Sequence, residues 1–175
     1  MNKEVLWRNR ISNPMLQWGV TALIGVITII AIWANQFARP EKQMHGNDVV
    51  WFTAAMILLS AVVTQFGTLT TEVRRDGFHL QFGAIGLLRR TIDWQNVAKV
   101  EVITVRPTHW GGWGYRWSVN KNSNQQWRSA TAAVLRKGPG LKFEFGNGKL
   151  FVVTIDDTDN AMAAIRRVMD ELPPA

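Results

Sequence analysis

The chain has 175 residues, of which 47% are hydrophobic, and its 20 lysines and arginines exceed its 13 aspartates and glutamates, giving a formal net charge of +7. It contains no cysteine, which excludes disulfide frameworks, thiolate metal sites and cysteine nucleophiles. A chain of this length holds one or two domains.

Two apolar segments, residues 15–37 and 49–69, dominate the first part of the chain. Neither contains a Lys, Arg, Asp, Glu or His. At about 1.5 Å per residue, each helix would be about 30 Å long, which is the thickness of the hydrocarbon core of a bilayer. Trp18, Trp33 and Trp51 lie near the ends of these segments, where tryptophan is enriched in membrane proteins. We therefore predict a transmembrane hairpin within residues 1–69, followed by a separate domain at residues 70–175.

Two other interpretations of these segments are a cleaved signal peptide and a soluble helical hairpin. The first segment is longer than a typical signal-peptide core, and a second apolar segment follows it. A soluble hairpin needs a polar stripe on each helix, which neither segment shows. Small residues at four-residue spacing predict close packing of the two helices. These residues are Thr21 and Gly25 in the first segment, and Ser60, Thr64 and Thr68 in the second.

The charges beside the two segments predict the orientation of the hairpin. Residues 1–14 carry a net charge of +2, residues 38–48 carry none, and residues 70–175 carry +5. Because basic flanks mark the cytoplasmic side, we expect a multi-pass protein of a bacterial inner membrane with both termini in the cytoplasm. Next to a membrane span, basic charge favours anionic lipid headgroups over nucleic acid, so we expect no nucleic-acid partner.

After residue 70 the apolar residues alternate with polar ones. Asp76-Gly77 is a hairpin-type turn signal, and it precedes a predicted strand that places Phe78, Leu80 and Phe82 on one face. Two further strands, at residues 90–94 and 99–105, are predicted to pair with each other across Gln95-Asn96.

Residues 109–117, with the sequence HWGGWGYRW, are the most unusual stretch. Trp110, Trp113 and Trp117 are candidates for a ligand surface or for contact with the membrane interface, and packing in the core is the alternative. The glycines between them predict a turn or bulge with close approach of the backbone.

The C-terminal part predicts a β-hairpin and a helix. Residues 141–145 alternate strictly, Gly146-Asn147-Gly148 forms the turn, and residues 149–155 return as the second strand. A helix then begins after Asp156 and Asp157, which we predict to cap it by accepting backbone N–H bonds. Its apolar stripe is predicted to contain Ala161, Ile165, Val168 and Leu172. The alternative for the aspartates, with Asp159, is a metal-binding or acid–base cluster.

No catalytic or cofactor-binding pattern is recognisable in the sequence. The three histidines share no metal-ligand spacing, and no serine lies in a nucleophile elbow. We therefore predict a protein that is not an enzyme and that needs no cofactor.

Arginine pairs occur at positions 74/75, 89/90 and 166/167. Because neighbouring residues of a strand point to opposite faces, such a pair does not form a clamp around one ligand. Arg74, Arg75, Arg89 and Arg90 are candidates for contact with lipid headgroups or with a protein partner, and solvated positions are the alternative.

These features together resemble small bacterial membrane proteins that carry a pleckstrin-homology-like (PH-like) domain after two transmembrane helices. The residues that carry the resemblance are TEVRRDGF at 71–78, RRTIDWQNVAKVEV at 89–102, GWGYRW at 112–117 and GLKFEFGNGKLFVVTIDD at 140–157. The resemblance implies an α+β membrane protein whose second domain is a bent antiparallel β-sheet or barrel, closed by a C-terminal capping helix. The polar stretch at residues 118–135 departs from the short connection expected there.

The resulting hypothesis is a membrane-anchored interaction or scaffold module at the inner leaflet. Its expected partners are the lipid bilayer and either a protein partner or a second copy of the chain. A membrane enzyme, or an accessory subunit of a membrane enzyme or transporter, is the alternative function.

Overall fold

A computed structural model describes residues 4–38, 43–83, 85–86, 88–121 and 127–171. The protein is a mixed α+β structure with three α-helices and two β-sheets in these described residues. It divides into two compact units: Asn13–Gly67 forms one, and the residues before and after this segment form the other.

The first unit is a helical hairpin. A short π-helical turn at Met15–Gly19 leads into α1, Val20–Asn35, and α2 spans Gly46–Gln65. The segments Gln17–Asn35 and Gly46–Gln65 are long and apolar enough to cross a membrane. The end of α1 is linked to the segment before α2 by a hydrogen bond, in which the Asn35 Oδ1 accepts the backbone N–H of Met44 at 2.7 Å. The predicted second span, 49–69, overruns α2 because the chain enters a strand at Thr68.

The predicted packing of small residues differs from what the hairpin shows. Helices α1 and α2 are in contact, but a Cβ added to Gly25 would meet nothing within 4 Å. The hydroxyl of Thr21 donates to the Gln17 carbonyl in the preceding π-helical turn at 2.7 Å, and that of Thr64 donates to the Ala61 carbonyl in α2 at 2.8 Å. Thr68 lies in a strand. Gly25 therefore does not form the predicted close approach of the two helices, and Thr68 is not part of α2.

The first sheet of the second unit is antiparallel, with four strands in chain order. Its strands are β1 (Val5–Ser12), β2 (Thr68–Arg74), β3 (Gly77–Phe82) and β4 (Leu88–Ile92). Residues 5–12, which the sequence grouped with the hairpin, form the edge strand β1 beside β2. Ser12 pairs with Thr68. The whole helical hairpin is thus an insertion between two paired residues of neighbouring strands.

Phe78, Leu80 and Phe82 are buried on one face of β3, as predicted. The predicted pairing of the next two strands is wrong, because β4 belongs to the first sheet and β5, Val97–Val105, belongs to the second. Between them, Trp94 is buried in a single 3₁₀ turn and donates its indole N–H to the Arg74 carbonyl at 2.8 Å. This anchored side chain turns the chain from one sheet to the other.

The second sheet has the strand order β5-β8-β9-β7-β6. The new strands are β6 (Gly114–Lys121), β7 (Trp127–Val134), β8 (Gly138–Phe145) and β9 (Leu150–Thr154). The predicted C-terminal hairpin is confirmed as β8–β9. The sheet is mixed, however, and not the antiparallel sheet that was expected. The chain reverses direction from β7 to β8 and again from β8 to β9, so the adjacent strands β7 and β9 run parallel.

The core lies between the two sheets. Phe78 of the first sheet packs against Phe143 of the second, with ring centroids 4.8 Å apart, and Phe143 lies 6.0 Å from Phe151. The opposite face of the second sheet is buried as well, where Trp110 covers Val105, Ala132 and Val152. Helix α3, Thr158–Glu171, contacts β1, β2 and β8, and it buries the predicted residues Ala161, Ile165 and Val168. Leu172, also predicted for this stripe, lies outside the described residues.

Candidate interaction surfaces

Arg74 and Arg75 take part in ion pairs within the domain. Arg74 pairs with Glu72 at 2.5 Å on the outer face of the first sheet. Arg75, in the turn between β2 and β3, pairs with Glu4 at 3.4 Å and with Glu171 at 3.3 Å. Arg75 therefore joins the segment before β1 to the last described turn of α3. Of these two candidates, Arg74 is the one that lies on the sheet face.

Arg89 lies on the same outer face in a cross-strand row with Arg10. The register of the first sheet places Arg10 opposite Thr70, Thr70 opposite Gln81, and Gln81 opposite Arg89. Arg89 donates to the carbonyl of Ile85 at 3.4 Å. Neither Arg10 nor Arg89 forms a salt bridge with a carboxylate of the described chain. Because Arg10 is two residues from Ser12, this row lies near the end of the sheet where the helical hairpin is inserted.

Arg90 points to the opposite face, towards the second sheet. Its guanidinium carbon lies 5.1 Å from the ring centroid of Phe151, and its Nη1 donates to the Tyr115 hydroxyl at 2.5 Å. Phe151 is fully buried and Arg90 is half-buried. The aromatic ring and the hydroxyl hold the guanidinium in a fixed position.

A cleft of about 610 Å³ opens beside Arg90. It runs between the end of β4 with the following turn, the first half of β7, and the turn between β8 and β9. We call it the Arg90 cleft. Its polar lining comprises Arg90, Thr91, Asp93, Gln95, Asn96, Ser129, Thr131, Asn147 and Lys149. A volume of this size matches that of small-ligand sites.

The three tryptophans of the aromatic run have different environments. Trp110 is 6% exposed and belongs to the core, which is the alternative that the sequence left open. Trp113 is 53% exposed, in the turn before β6, and Trp117 is 84% exposed on β6. Only the latter two are available to a partner.

Trp127, which sequence reasoning did not single out, extends this exposed surface. Trp117 pairs with Thr131, and Val119 pairs with Ser129, so Trp117, Val119 and Trp127 share one face of the β6–β7 pair. All three are largely exposed. We call them the aromatic surface. Ser129 and Thr131 of the Arg90 cleft lie on the same face, so the surface and the cleft adjoin.

Asp156 and Asp157 have separate partners. Asp157 precedes α3, and its Oδ1 accepts the backbone N–H of Asn160 at 3.3 Å, which is the geometry of an N-terminal cap. Its Oδ2 accepts the indole N–H of Trp7 from β1 at 3.3 Å. The hydrogen bond from the side-chain amide of Asn160, followed by those from Trp7 and from the Asn160 backbone, lowers the pKa of Asp157 below its usual value. Asp156 instead forms an ion pair with Arg136.

The histidines and carboxylates of the described residues form no group of three or more that could hold a metal ion. His79 lies between Asp76 and Thr91, 3.0 Å from an oxygen of each. His45 and Asp48 form a capping box at the start of α2.

No model of a protein family, no curated protein and no solved structure matches the chain.

Proposed function

We propose that the protein is a membrane-anchored interaction module without catalytic activity, in which the helical hairpin spans the bilayer and the β domain binds partners at the membrane surface. The main support for this proposal is the position at which the helical hairpin is inserted into the β domain. Two helices of membrane-spanning length and composition join the β domain at Ser12 and Thr68, which are paired residues of β1 and β2. A spanning hairpin would therefore hold the domain at the bilayer by two adjacent covalent connections.

The β domain is proposed to be PH-like. Two packed sheets followed by a C-terminal helix that contacts β1, β2 and β8 support this assignment. The parallel pairing of β7 and β9 is a departure from an all-antiparallel domain. The proposal therefore rests on the order of the layers and on the final helix.

The proposed location is a bacterial inner membrane, with both termini in the cytoplasm. The basic flanks at residues 1–14 and 70–175 support this orientation, because positive charge is retained on the cytoplasmic side. A reporter fused after Ala175 should be active only in its cytoplasmic form. Activity of a reporter that works only outside the cytoplasm would contradict this topology.

The outer face of the first sheet is the proposed contact with anionic lipid headgroups. Arg10 and Arg89 share one cross-strand row, and neither is neutralised by a carboxylate of the described chain. Each basic residue near an anionic membrane surface contributes about 1 kcal/mol to binding. A hairpin that spans the bilayer would keep the β domain at the membrane surface at a high effective concentration.

Replacing both Arg10 and Arg89 by alanine should weaken binding to anionic vesicles by about 2 kcal/mol, which is about 30-fold. The measurement is co-sedimentation of a soluble form of the β domain, in which residues 14–66 are replaced by a two-residue turn, with vesicles of phosphatidylglycerol and phosphatidylcholine. Two exposed arginines of α3, Arg166 and Arg167, supply a matched double variant with the same loss of charge.

Equal binding of the unsubstituted domain to neutral and to anionic vesicles would contradict the proposed contact with anionic lipid headgroups. In that case a protein partner or a second copy of the chain would be the remaining occupant of this face. Equal losses in the two double variants would show that overall charge, and not the row of Arg10 and Arg89, determines binding.

A further inference from the structure

Arg90 is a half-buried cation that has no anionic partner among the residues that the structure describes. A guanidinium has five N–H donors, and the Tyr115 hydroxyl accepts from one of its nitrogens. The guanidinium carbon lies over the Phe151 ring, which accepts no conventional hydrogen bond. No carboxylate of the described residues forms a salt bridge with Arg90. Partly desolvated charges are normally paired with an opposite charge. The part of Arg90 that lines the cleft can therefore bind an anion.

The remaining lining of the Arg90 cleft suits an oxyanion. Lys149 contributes a second cation, and Asp93 is the acidic residue among the described lining residues. Ser129 and Thr131 add hydroxyl groups, and Asn96 adds a side-chain amide. These groups can donate hydrogen bonds to several oxygens of one ligand.

We propose that the Arg90 cleft binds the phosphate group of a phosphate ester. The rigid fork of arginine matches the spacing of phosphate oxygens, and a lysine serves as an adjustable point charge. A soluble phosphate ester and a phospholipid headgroup share this chemistry. The aromatic surface of Trp117, Val119 and Trp127 adjoins the cleft and provides an apolar flank for the part of the ligand that carries the phosphate. The inference concerns the β domain alone and does not depend on the membrane contact of Arg10 and Arg89.

The test is calorimetric titration of the full chain in a nonionic detergent, with inorganic phosphate and with glycerol 3-phosphate as ligands. We expect saturable binding that is weakened about tenfold by Lys149→Ala, because a charge-assisted hydrogen bond is lost. Lys149 is exposed and in a turn, so its replacement should leave the fold intact. Lys137→Ala is the matched control, since Lys137 is an exposed lysine in the turn between β7 and β8 and does not line the cleft.

The variant Arg90→Lys tests whether Arg90 binds phosphate or only stabilises the fold. This variant keeps the charge and loses the fork, so binding should weaken about tenfold or more while urea unfolding shows a folded domain. If Arg90→Lys and Lys149→Ala both bind phosphate as the unsubstituted chain does, the proposal is wrong.

Micelles that contain phosphatidylglycerol distinguish the two sources of phosphate. Competition by these micelles against glycerol 3-phosphate, lost in Lys149→Ala, would identify a lipid headgroup. Binding of glycerol 3-phosphate without such competition would identify a soluble ester. Absence of Lys149-dependent binding in all of these titrations would overturn the proposal.

Discussion

Replacing residues 14–66 with the dipeptide Asn-Gly is expected to give a folded β domain that is soluble without detergent. Beyond the pair Ser12–Thr68, the backbone N–H of Asn13 donates to the carbonyl of Gly67 at 2.9 Å, so Asn13 and Gly67 form a hydrogen-bonded pair at the end of β1 and β2. A two-residue loop of this composition joins such a hydrogen-bonded pair in a type I′ turn, whose twist matches that of the strands. The replacement removes both apolar helices and leaves every strand and α3 in place. The measurement is the dispersion of amide resonances, together with a cooperative urea transition.

Residues 68–175 alone should not form a comparable domain, although this fragment contains eight of the nine strands in the described residues. Without β1, β2 becomes an unprotected edge and the contact of β1 with α3 is lost. The buried side chain of Ile11 and the hydrogen bond from Trp7 to Asp157 are lost as well. We expect aggregation or a broad, non-cooperative transition. A fragment as stable as the domain with the Asn-Gly turn would show that β1 is dispensable.

The elements that the sequence predicted correctly are those whose patterns and partners are local. Phe78, Leu80 and Phe82 alternate within one short strand, and the β8–β9 hairpin is closed by an adjacent glycine-containing turn. The helix α3 is marked by its preceding aspartates and by an apolar stripe at helical spacing. Each of these signals is complete within about 15 residues, so no distant part of the chain was needed to interpret it.

The incorrect predictions concern strands whose pairing partners are distant in sequence. The strand β1 has a weak pattern, and its partner lies beyond the whole helical hairpin. The predicted strands at residues 90–94 and 99–105 are neighbours in sequence, which favoured a hairpin, but the chain passes from one sheet to the other at the buried Trp94. The parallel pairing of β7 and β9 likewise depends on the insertion of β9 between β7 and β8.

For the candidate surfaces, the sequence identified individual residues but not their arrangement. It named Arg90 and Trp117 separately, since each belongs to a conspicuous local pattern. Their common environment arises only when β4 and the β6–β7 pair face each other. Trp127 lies at the end of a polar stretch and carries no local signal, and it joins Trp117 through cross-strand register alone.

Gly140→Ala is expected to destabilise the β domain by about 3 kcal/mol, because it overpacks a site lined by backbone. Gly140 is buried in β8, where it pairs with Ile103 of β5 and with Thr154 of β9. A Cβ atom at this position would lie against the Val153 carbonyl oxygen and 2.6 Å from Val105 Cγ2. The carbonyl cannot rotate away as the end of a flexible side chain could, so the strands must move apart.

Gly146→Ala is the matched control for this substitution. Gly146 is exposed in the turn between β8 and β9, and an added Cβ would meet nothing within 4 Å, so its replacement should change stability by less than about 0.5 kcal/mol. Urea denaturation of the domain with the Asn-Gly turn measures both effects. If the two variants are equally stable, β8 does not depend on close contact at Gly140. If only Gly140→Ala unfolds early, this glycine maintains the spacing of β5, β8 and β9 on which burial of Val105 beneath Trp110 depends.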